Sequence, residues 1–180
     1  MKLNIKKNRK NKSWSFSEFL LRFLWWLCSP FFYFSFPKLW FFRNFLVKLF
    51  GGKIGKNVRI SNTCKIAIPW NIEISDYAAI GDRVILYSLG KIYIGQRSTI
   101  SQGSHLCAGT HDHTDKSRPL IKKSISIKND VWVSADAFIG PGTIISNNSI
   151  VGARAVVTKN VPENVIVVGN PAKDIKKTNE

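Results

Sequence analysis

The sequence predicts an all-β fold, a parallel β-helix made of six-residue repeats, with an aromatic helical segment ahead of it. Three observations between residues 54 and 161 predict this fold. An aliphatic residue recurs at every sixth position, a small or polar residue usually follows it, and a small or β-branched residue stands four places on. A helix would repeat about every 3.6 residues and a half-buried strand about every 2, so the longer period indicates a solenoid of short strands and tight turns.

Three consecutive repeats make one triangular coil of about eighteen residues, so aliphatic side chains one coil apart should stack into internal columns. Ile127 and Ile145 fit one such column, while Ile94, Ile100 and Leu106 fit columns on the three faces. A chance run of strands from a sandwich would not keep this register over so many repeats. We therefore expect a continuous apolar core along the axis.

The repeats also divide the chain into segments. We assign residues 54–161 to the β-helix. The period fails over residues 112–124, which we predict to form a loop projecting from one edge, a common place for function in solenoids. Residues 162–180 are predicted to be an extended segment that closes the C-terminal end.

Positive charge is concentrated before the repeats. The formal net charge is +16, and residues 1–53 contribute +10 of it, from eleven Lys and Arg against the single acid Glu18. Residues 1–13 form a basic, polar tail that we predict to be disordered. A basic balance favours an anionic partner. No nucleic-acid recognition module is present in the sequence, so an anionic membrane surface or an anionic substrate fits better.

Residues 14–53 are predicted to form an aromatic, basic helical segment. Ser15 or Ser17 can cap the first helix, which should run to about Cys28. Pro30 should end it, because a proline inside a helix removes a backbone donor and clashes with the preceding turn.

A second helix is expected from Pro37 or Lys38 to about Phe50, with Gly51 and Gly52 as its stop. The aromatic run has neither the uninterrupted apolar core nor the small-residue cleavage site of a signal peptide.

The uncharged stretch between Arg22 and Lys38 has fifteen residues, short of the about twenty that a membrane-spanning helix needs. Two interpretations of the segment stay open. It can pack on the first coil or on a neighbouring subunit and shield the open end of the solenoid. It can also be an interfacial anchor, with aromatic rings among the lipid headgroups and cations toward anionic lipid. The composition favours both at once.

The three cysteines, Cys28, Cys64 and Cys107, are odd in number, widely spaced and without a metal-binding pattern. We interpret them as free thiols in a reducing compartment. The predicted location is the cytoplasm, with the inner face of the cytoplasmic membrane as the place of any lipid contact.

Five stretches carry a resemblance to a known family. They are Ala67-Ile-Pro-Trp-Asn-Ile-Glu-Ile74, Ile85-Leu-Tyr-Ser-Leu-Gly-Lys91, Ile100-Ser-Gln-Gly103, Leu106-Cys-Ala-Gly-Thr-His-Asp112 and Val168-Gly-Asn-Pro-Ala-Lys173. Through them the chain resembles the hexapeptide-repeat acyltransferases, and more closely the acetyltransferases of colanic-acid and surface-polysaccharide synthesis. The resemblance implies a left-handed parallel β-helix, a homotrimer, and transfer of an acetyl group from acetyl-coenzyme A to a sugar hydroxyl of a nucleotide- or lipid-linked glycan.

Acyl transfer to a hydroxyl needs a base, and histidine suits this role because its pKa lies near neutrality. The chain has three, His105, His111 and His113. The resemblance implies that His111 is the general base, at a corner of the coil. His113 is a substitute base or an acceptor contact, and His105 should lie on another corner. Asp112 or Asp115 can orient His111, as a backbone carbonyl can equally well.

The resemblance also implies which residues contact the other reacting groups. Small residues are needed where the pantetheine arm approaches the backbone. Trp132 matches a tryptophan near the acyl group and acceptor; Ala135 and Ala153 match coenzyme A contacts; Thr158 and Lys159 match positions near the nucleotide phosphates, with Lys173 or Arg154 assisting.

No metal is expected. Carbonic anhydrases of the same fold hold zinc with three histidines, but consecutive repeats lie on different faces. His105 and His111 therefore cannot converge within one chain. The competing interpretation of the chain is a non-catalytic β-helix that serves as a scaffold or a membrane-associated binding protein.

Overall fold

The computed structural model describes residues 3–10 and 14–178. In this part of the chain, three α-helices precede a long series of short strands. The helices are α1 (Ile5–Lys10), α2 (Phe16–Tyr33) and α3 (Trp40–Leu49). The strands are β1 (Lys53–Ile54), β2 (Arg59–Ile60), β3 (Lys65–Ile66), β4 (Ile72–Ile74), β5 (Ala79–Ile80), β6 (Ile85–Tyr87), β7 (Ile92–Ile94), β8 (Thr99–Ile100), β9 (His105–Cys107), β10 (Gly109–His111), β11 (Leu120–Lys122), β12 (Ile125–Ile127), β13 (Trp132–Val133), β14 (Phe138–Ile139), β15 (Ile144–Ile145), β16 (Ile150–Val151), β17 (Val156–Val157), β18 (Val165–Val168) and β19 (Lys173–Lys177).

Successive strands visit three sheets in turn, which are the faces of a triangular solenoid. Face A contains β1, β4, β7, β12 and β15, and face C contains β3, β6, β9, β14 and β17. Face B contains β2, β5, β8, β13, β16, β18 and β19. Neighbouring strands within these faces are parallel, apart from the last pair, β18 and β19. The prediction of a parallel β-solenoid with a helical segment ahead of it is confirmed.

The predicted columns of aliphatic side chains fill the interior. In face A, Ile127 lies beside Ile145 on one side and beside Ile94 on the other. Ile100 and Leu106 occupy the corresponding inward positions of faces B and C. Each of these side chains is at most 1% exposed. Burying one such side chain contributes about 1.5–3 kcal/mol, so the columns supply much of the energy that holds the coils in register.

The first coils are longer than the expected eighteen residues. The strand register advances 20 residues from Lys53 to Glu73 and 20 more to Tyr93, whereas it advances 18 from Ser126 to Ile144. The additional residues all lie in turns from face C to face A, where the first turn contains a 3-10 helix (Pro69–Asn71). We call this corner the C–A edge; its turns are residues 67–71, 88–91, 108–124, 140–143 and 158–160.

The prediction that Pro30 ends the first helix near Cys28 is wrong, because α2 continues through the proline to Tyr33. Pro30 has no N–H to donate to the carbonyl of Trp26, one helical turn earlier. The Ser29 hydroxyl donates a hydrogen bond to that same oxygen at 2.9 Å. The carbonyl therefore keeps a partner, and the helix tolerates the proline.

The other predicted helix signals agree more closely with the structure. Ser15 caps α2 in a reciprocal capping box with Glu18. Helix α3 begins at Trp40, slightly later than predicted, and Phe50 forms its C-terminal cap. Gly51 follows with a φ of +83°, a conformation that glycine adopts without strain.

A buried arginine joins the connection between α2 and α3 to the solenoid. Arg43 is 1% exposed. Its Nε donates to the carbonyl of Ile60 in β2 at 2.7 Å. Its terminal nitrogens donate to Ser35 Oγ at 2.8 Å and to the carbonyls of Phe36 and Pro37 at 3.0 and 2.6 Å. One guanidinium thus satisfies four oxygens at the N-terminal end of the prism.

The basic tail differs from the disordered segment that the sequence predicts over residues 1–13. Residues Ile5–Lys10 form α1, and Asn4 Oδ1 accepts a hydrogen bond from the Lys7 N–H at its start. Residues 1, 2 and 11–13 lie outside the described part of the chain. Helix α1 is held by contacts with the loop at residues 115–118, which the sequence does not indicate.

The β-helix extends beyond the predicted end at residue 161. Strand β18 lies parallel to β16, with Ile166 beside Ile150. Strand β19 then turns back and pairs antiparallel with β18. All five of its residues are exposed, and three of them are lysines.

The outward side of α2 is apolar. Trp25 and Phe32 are buried, and the indole Nε1 of Trp25 donates to the carbonyl of Ile66 at 3.0 Å. By contrast, Phe16 is 83% exposed, and Phe34, the C-cap residue of α2, is 89% exposed. Neither α2 nor any other helix in residues 3–10 and 14–178 has the length and apolarity needed to cross a bilayer.

Candidate active site

Residues 112–124, which the sequence predicts to be a loop, contain the turn and the second strand of a β-hairpin. Strands β10 and β11 pair antiparallel with each other and with no other strand. The hairpin is inserted between β9 of face C and β12 of face A, so it projects from the C–A edge. His111 is the last residue of β10 and lies opposite Leu120. The imidazole is therefore carried on a hairpin that projects from a corner of the coil, the C–A edge.

A backbone carbonyl orients the ring of His111. The ring Nδ1 lies 2.8 Å from the carbonyl oxygen of Arg118, across the hairpin. Because a carbonyl oxygen can only accept, Nδ1 carries the proton. In the neutral ring Nε2 is then unprotonated, and the residue is exposed. The arrangement can take up a proton at Nε2.

The two aspartates of the hairpin bind its own turn. Asp112 Oδ1 accepts hydrogen bonds from the Thr114 hydroxyl at 2.6 Å and its N–H at 2.9 Å, which lower the pKa of Asp112. Asp115 Oδ1 accepts from the Ser117 N–H at 2.6 Å, and this contact lowers the pKa of Asp115. Both carboxylates fold the turn. His111 is instead oriented by a backbone carbonyl, that of Arg118, which is the alternative to an aspartate that the sequence leaves open.

The other histidines lie in different surroundings. His113 is exposed near the tip of the hairpin. His105 is in β9 on face C, not at a corner, with its ring edge-on between Tyr87 at 6.2 Å and Phe138 at 5.4 Å. Burial lowers the pKa of His105, so the ring favours the neutral state. His105 is best described as a packing residue.

Within the described residues, no group of three His, Cys, Asp or Glu side chains forms a candidate metal site. Cys28, Cys64 and Cys107 are free thiols. Cys64 is fully buried, and burial raises the pKa of its thiol, so it is unreactive at neutral pH.

The predicted cofactor-binding residues occupy several places on the prism. Ala135 and Ala153 lie one coil apart in the turns from face B to face C, where the Arg154 N–H donates to the Ala135 carbonyl at 2.9 Å. Exposed Thr158 and Lys159 follow β17 at the C–A edge, the same edge as the hairpin. The Arg154 side chain lies 4.0 Å from Asp136.

Trp132 and Lys173 lie on face B. Trp132 is 50% exposed, and its indole Nε1 donates to Ser101 Oγ at 2.9 Å. In a triangular prism, face B is the side opposite the C–A edge. A single chain therefore keeps Trp132 and His111 on opposite sides. Trp132 of one chain and His111 of another could meet only across a contact between the two chains.

A groove of about 670 Å³ runs along the outside of face A beside the base of the hairpin. Tyr93, Ser126 and Ile144 form part of its floor, and Lys122, Lys123 and Lys128 lie along it. Lys122 also lies 4.0 Å from Glu18 and 3.9 Å from the Trp14 ring centre. The groove is cationic and continuous with the hairpin that carries His111.

Comparison with known proteins places the chain in a family. No protein-family model matches it. A curated protein of Escherichia coli (strain K12), named as the colanic acid biosynthesis acetyltransferase WcaF, is 44% identical over 155 residues, which are 86% of this chain and 85% of that protein. The chain belongs to this acetyltransferase family. The membership contradicts the competing interpretation of the chain as a non-catalytic scaffold.

Solved structures share the fold of this acetyltransferase. A hexapeptide-repeat acetyltransferase from Vibrio cholerae O1 biovar eltor, complexed with acetyl-coenzyme A, superposes with a TM-score of 0.87 at 23% identity, over 97% of this chain and 96% of that one. A maltose O-acetyltransferase from Clostridium difficile 630 has a TM-score of 0.83 at 23% identity, over 99% and 98% of the two chains. At this identity the likeness shows the fold alone.

Two contributors to the site of the acetyltransferase were missed from the sequence. The Arg118 carbonyl is a backbone group, so no residue type marks it. Asn8 donates from its side chain to the same hairpin, yet in the sequence it is one polar residue in a basic run. Only the hairpin register, which sets His111 opposite Leu120 and so brings the Arg118 carbonyl near its ring, could have indicated the first.

Proposed function

We propose that this acetyltransferase transfers an acetyl group from acetyl-coenzyme A to a sugar hydroxyl of a nucleotide- or lipid-linked glycan in surface-polysaccharide synthesis, with His111 as the general base. The observation that carries the proposal is the 2.8 Å contact between His111 Nδ1 and the Arg118 carbonyl. The contact supports a ring that is held at Nδ1 and keeps Nε2 as its basic nitrogen. The related acetyltransferases and the acetyl-coenzyme A complex of a protein with the same fold support the donor and the class of acceptor.

In the proposed reaction, His111 Nε2 takes the proton of the sugar hydroxyl as its oxygen attacks the thioester carbonyl. The new C–O bond forms, the C–S bond breaks, and the proton passes from Nε2 to the departing thiolate. Backbone N–H groups stabilise the oxyanion of the tetrahedral intermediate. The Arg118 carbonyl stabilises the imidazolium that exists between the two proton transfers, because Nδ1–H donates to it throughout.

We further propose a homotrimer whose sites lie between neighbouring chains. The opposite placement of Trp132 and His111 supports this assembly, because a crevice lined by the C–A edge of one chain and face B of the next contains both. Ala135 and Ala153 would let the pantetheine arm approach the backbone. Thr158 and Lys159, assisted by Lys173, would contact the phosphates. A cyclic trimer closes with three equivalent sites.

Coenzyme A binding by the assembled trimer tests this arrangement. Saturation at about 100 times the Kd should stabilise the folded state by about 2.7 kcal/mol, visible as a rise in Tm. Light scattering should give three times the chain mass of 20.4 kDa. Lys159→Ala should reduce the rise in Tm, and Lys56→Ala, an exposed lysine at the N-terminal end, should not. A fully active monomer, or no rise in Tm at saturating coenzyme A, contradicts the arrangement.

The acceptor is tested by a screen of nucleotide- and lipid-linked sugars with acetyl-coenzyme A, in which thiol release is measured. Transfer to at least one glycan hydroxyl is expected. Acetyl transfer to none of these acceptors, with coenzyme A bound, would refute the proposed substrate class.

We also propose that the protein acts in the cytoplasm, in peripheral contact with the inner face of the cytoplasmic membrane through residues 14–50. The outward residues of this segment support the proposal, because their large exposed side chains are apolar and mostly aromatic. Those more than half exposed are Phe16, Phe19, Trp26, Phe31, Phe34, Phe36, Phe41, Phe45 and Leu49. The net charge of residues 1–53 complements anionic lipid headgroups.

Flotation with lipid vesicles tests the membrane contact. We expect the protein to float with vesicles of phosphatidylcholine and phosphatidylglycerol, and more weakly with phosphatidylcholine alone. The double substitution Phe19→Ser and Trp26→Ser should abolish flotation. The control Ile175→Ser removes a side chain of similar exposure, 59%, from the other end of the prism. If the double variant floats as well as wild-type protein, these apolar side chains do not bind the membrane. If the double variant dissociates to monomers, they form a contact between subunits instead.

A further inference from the structure

Helix α1 binds the turn of the hairpin that carries His111. The Asn4 N–H donates to the carbonyl of Lys116 at 2.9 Å. The side-chain amide nitrogen of Asn8 donates to the carbonyl of Ser117 at 2.6 Å and to that of Arg118 at 3.3 Å. Helix α1 and Asn4, the residue before it, therefore engage three consecutive carbonyls of the turn.

The last of these carbonyls is the one that orients the proposed base. The Arg118 oxygen accepts from His111 Nδ1 at 2.8 Å and from Asn8 Nδ2 at 3.3 Å. A carbonyl oxygen has two lone pairs, so it can accept both hydrogen bonds. The amide of Asn8 and the imidazole of His111 thus donate to the same oxygen atom, although more than a hundred residues separate them in sequence.

The turn needs such support. Arg118 has a φ of 44°, a left-handed conformation that is uncommon for residues with a side chain. The hairpin strands pair only with each other, so no neighbouring coil fixes the direction of this carbonyl. The Lys7–Asp115 ion pair is long, at 3.9 Å, and exposed, so it contributes little. The neutral amide of Asn8 makes the direct contact.

We propose that Asn8 is a positioning residue: through the Arg118 carbonyl it fixes the orientation and the Nδ1–H tautomer of His111. The inference rests on the proposed role of His111 as the base. It gives the basic N-terminal segment a part in the chemistry, separate from any part in membrane contact. Loss of the amide leaves the carbonyl free to turn, and a base displaced by about 1 Å can cost up to about 100-fold in rate.

The test compares Asn8→Asp with Arg9→Ala. The aspartate has the shape of asparagine but no N–H donors, and it sets carboxylate oxygens against the two carbonyls. Arg9 lies next to it on the exposed surface of the same helix. We expect Asn8→Asp to lower kcat about 10-fold, with the KM for acetyl-coenzyme A unchanged, and Arg9→Ala to leave kcat unchanged. Asn8→Ala, which removes the donors without adding charge, should behave like Asn8→Asp.

A second readout needs no turnover. The ¹⁵N shifts of histidine-labelled protein report which ring nitrogen of His111 carries the proton. Wild-type protein should have the Nδ1–H tautomer, and both Asn8 variants should lose part of it. An unchanged tautomer in the Asn8 variants, or an equal loss of kcat in Arg9→Ala, overturns the proposal. If wild-type protein transfers no acetyl group, the proposed function fails, and the tautomer measurement still decides the role of Asn8.

Discussion

Replacement of His111 by alanine is expected to lower kcat about 100-fold or more, the usual contribution of a positioned general base. The reason is geometric. The Arg118 carbonyl holds Nδ1 at 2.8 Å and leaves Nε2 for the proton of the acceptor hydroxyl. Initial rates of thiol release from acetyl-coenzyme A, measured with the acceptor found in the screen, check the prediction. The rise in Tm with coenzyme A should persist in His111→Ala, since the substitution removes no contact in the prism.

The matched control is His113→Ala, two residues along the same hairpin and exposed. We expect it to keep most of the wild-type kcat, which separates loss of the base from disturbance of the hairpin. Near-normal turnover in His111→Ala would remove His111 from the proposed role. A larger loss in His113→Ala than in His111→Ala would transfer the role to His113.

The largest loss of stability from a single polar substitution is expected for Arg43→Ala. The guanidinium donates to four oxygens at the junction of α2, α3 and β2, and the side chain is 1% exposed. Alanine would leave these oxygens without their donor in a site that water does not reach freely. We expect the free energy of unfolding to fall by about 3 kcal/mol or more. Urea denaturation measures this free energy directly. In a thermal melt, the same loss should lower Tm by about 6 °C or more.

Lys48→Ala is the control for Arg43→Ala, because Lys48 is an exposed cation on the same helix. Its effect should stay within about 0.5 kcal/mol. Arg43→Lys keeps the charge but cannot reach four separate oxygens with one ammonium group, so it should fall between the two. If Arg43→Ala unfolds at the same denaturant concentration as Lys48→Ala, the junction does not depend on these hydrogen bonds.

The sequence predicted the prism well because one physical requirement repeats along it. Every sixth residue must be aliphatic to fill the axis, as Ile94, Ile127 and Ile145 do. The lengths of the first coils were harder to predict, because the additional residues lie in irregular turns at one edge and leave the columns intact. The failure of the repeat over residues 112–124 marks a segment apart from the coils, but the pairing of β10 with β11 has no signature as strong as the repeat.

The parts that escaped prediction depend on contacts distant in sequence. Arg43 resembles any other cation of a basic segment until the fold surrounds it with carbonyls. Pro30 carries a strong signal for the end of a helix, yet α2 continues, and the Ser29 hydroxyl donates to the carbonyl that the proline leaves without an N–H. The partner of His111 is a main-chain oxygen, so its identity depended on the hairpin register and not on a residue type.

Both ends of the solenoid are protected against stacking. A solenoid polymerises end to end when the free strand edge of one molecule pairs with that of the next. At the C-terminal end, face B finishes in β19, which runs against the parallel order and presents Lys173, Lys176 and Lys177. At the N-terminal end, α3 packs over β1 and β2. Filament growth along the axis is thus disfavoured, and lateral contact remains the route by which copies of this chain can meet.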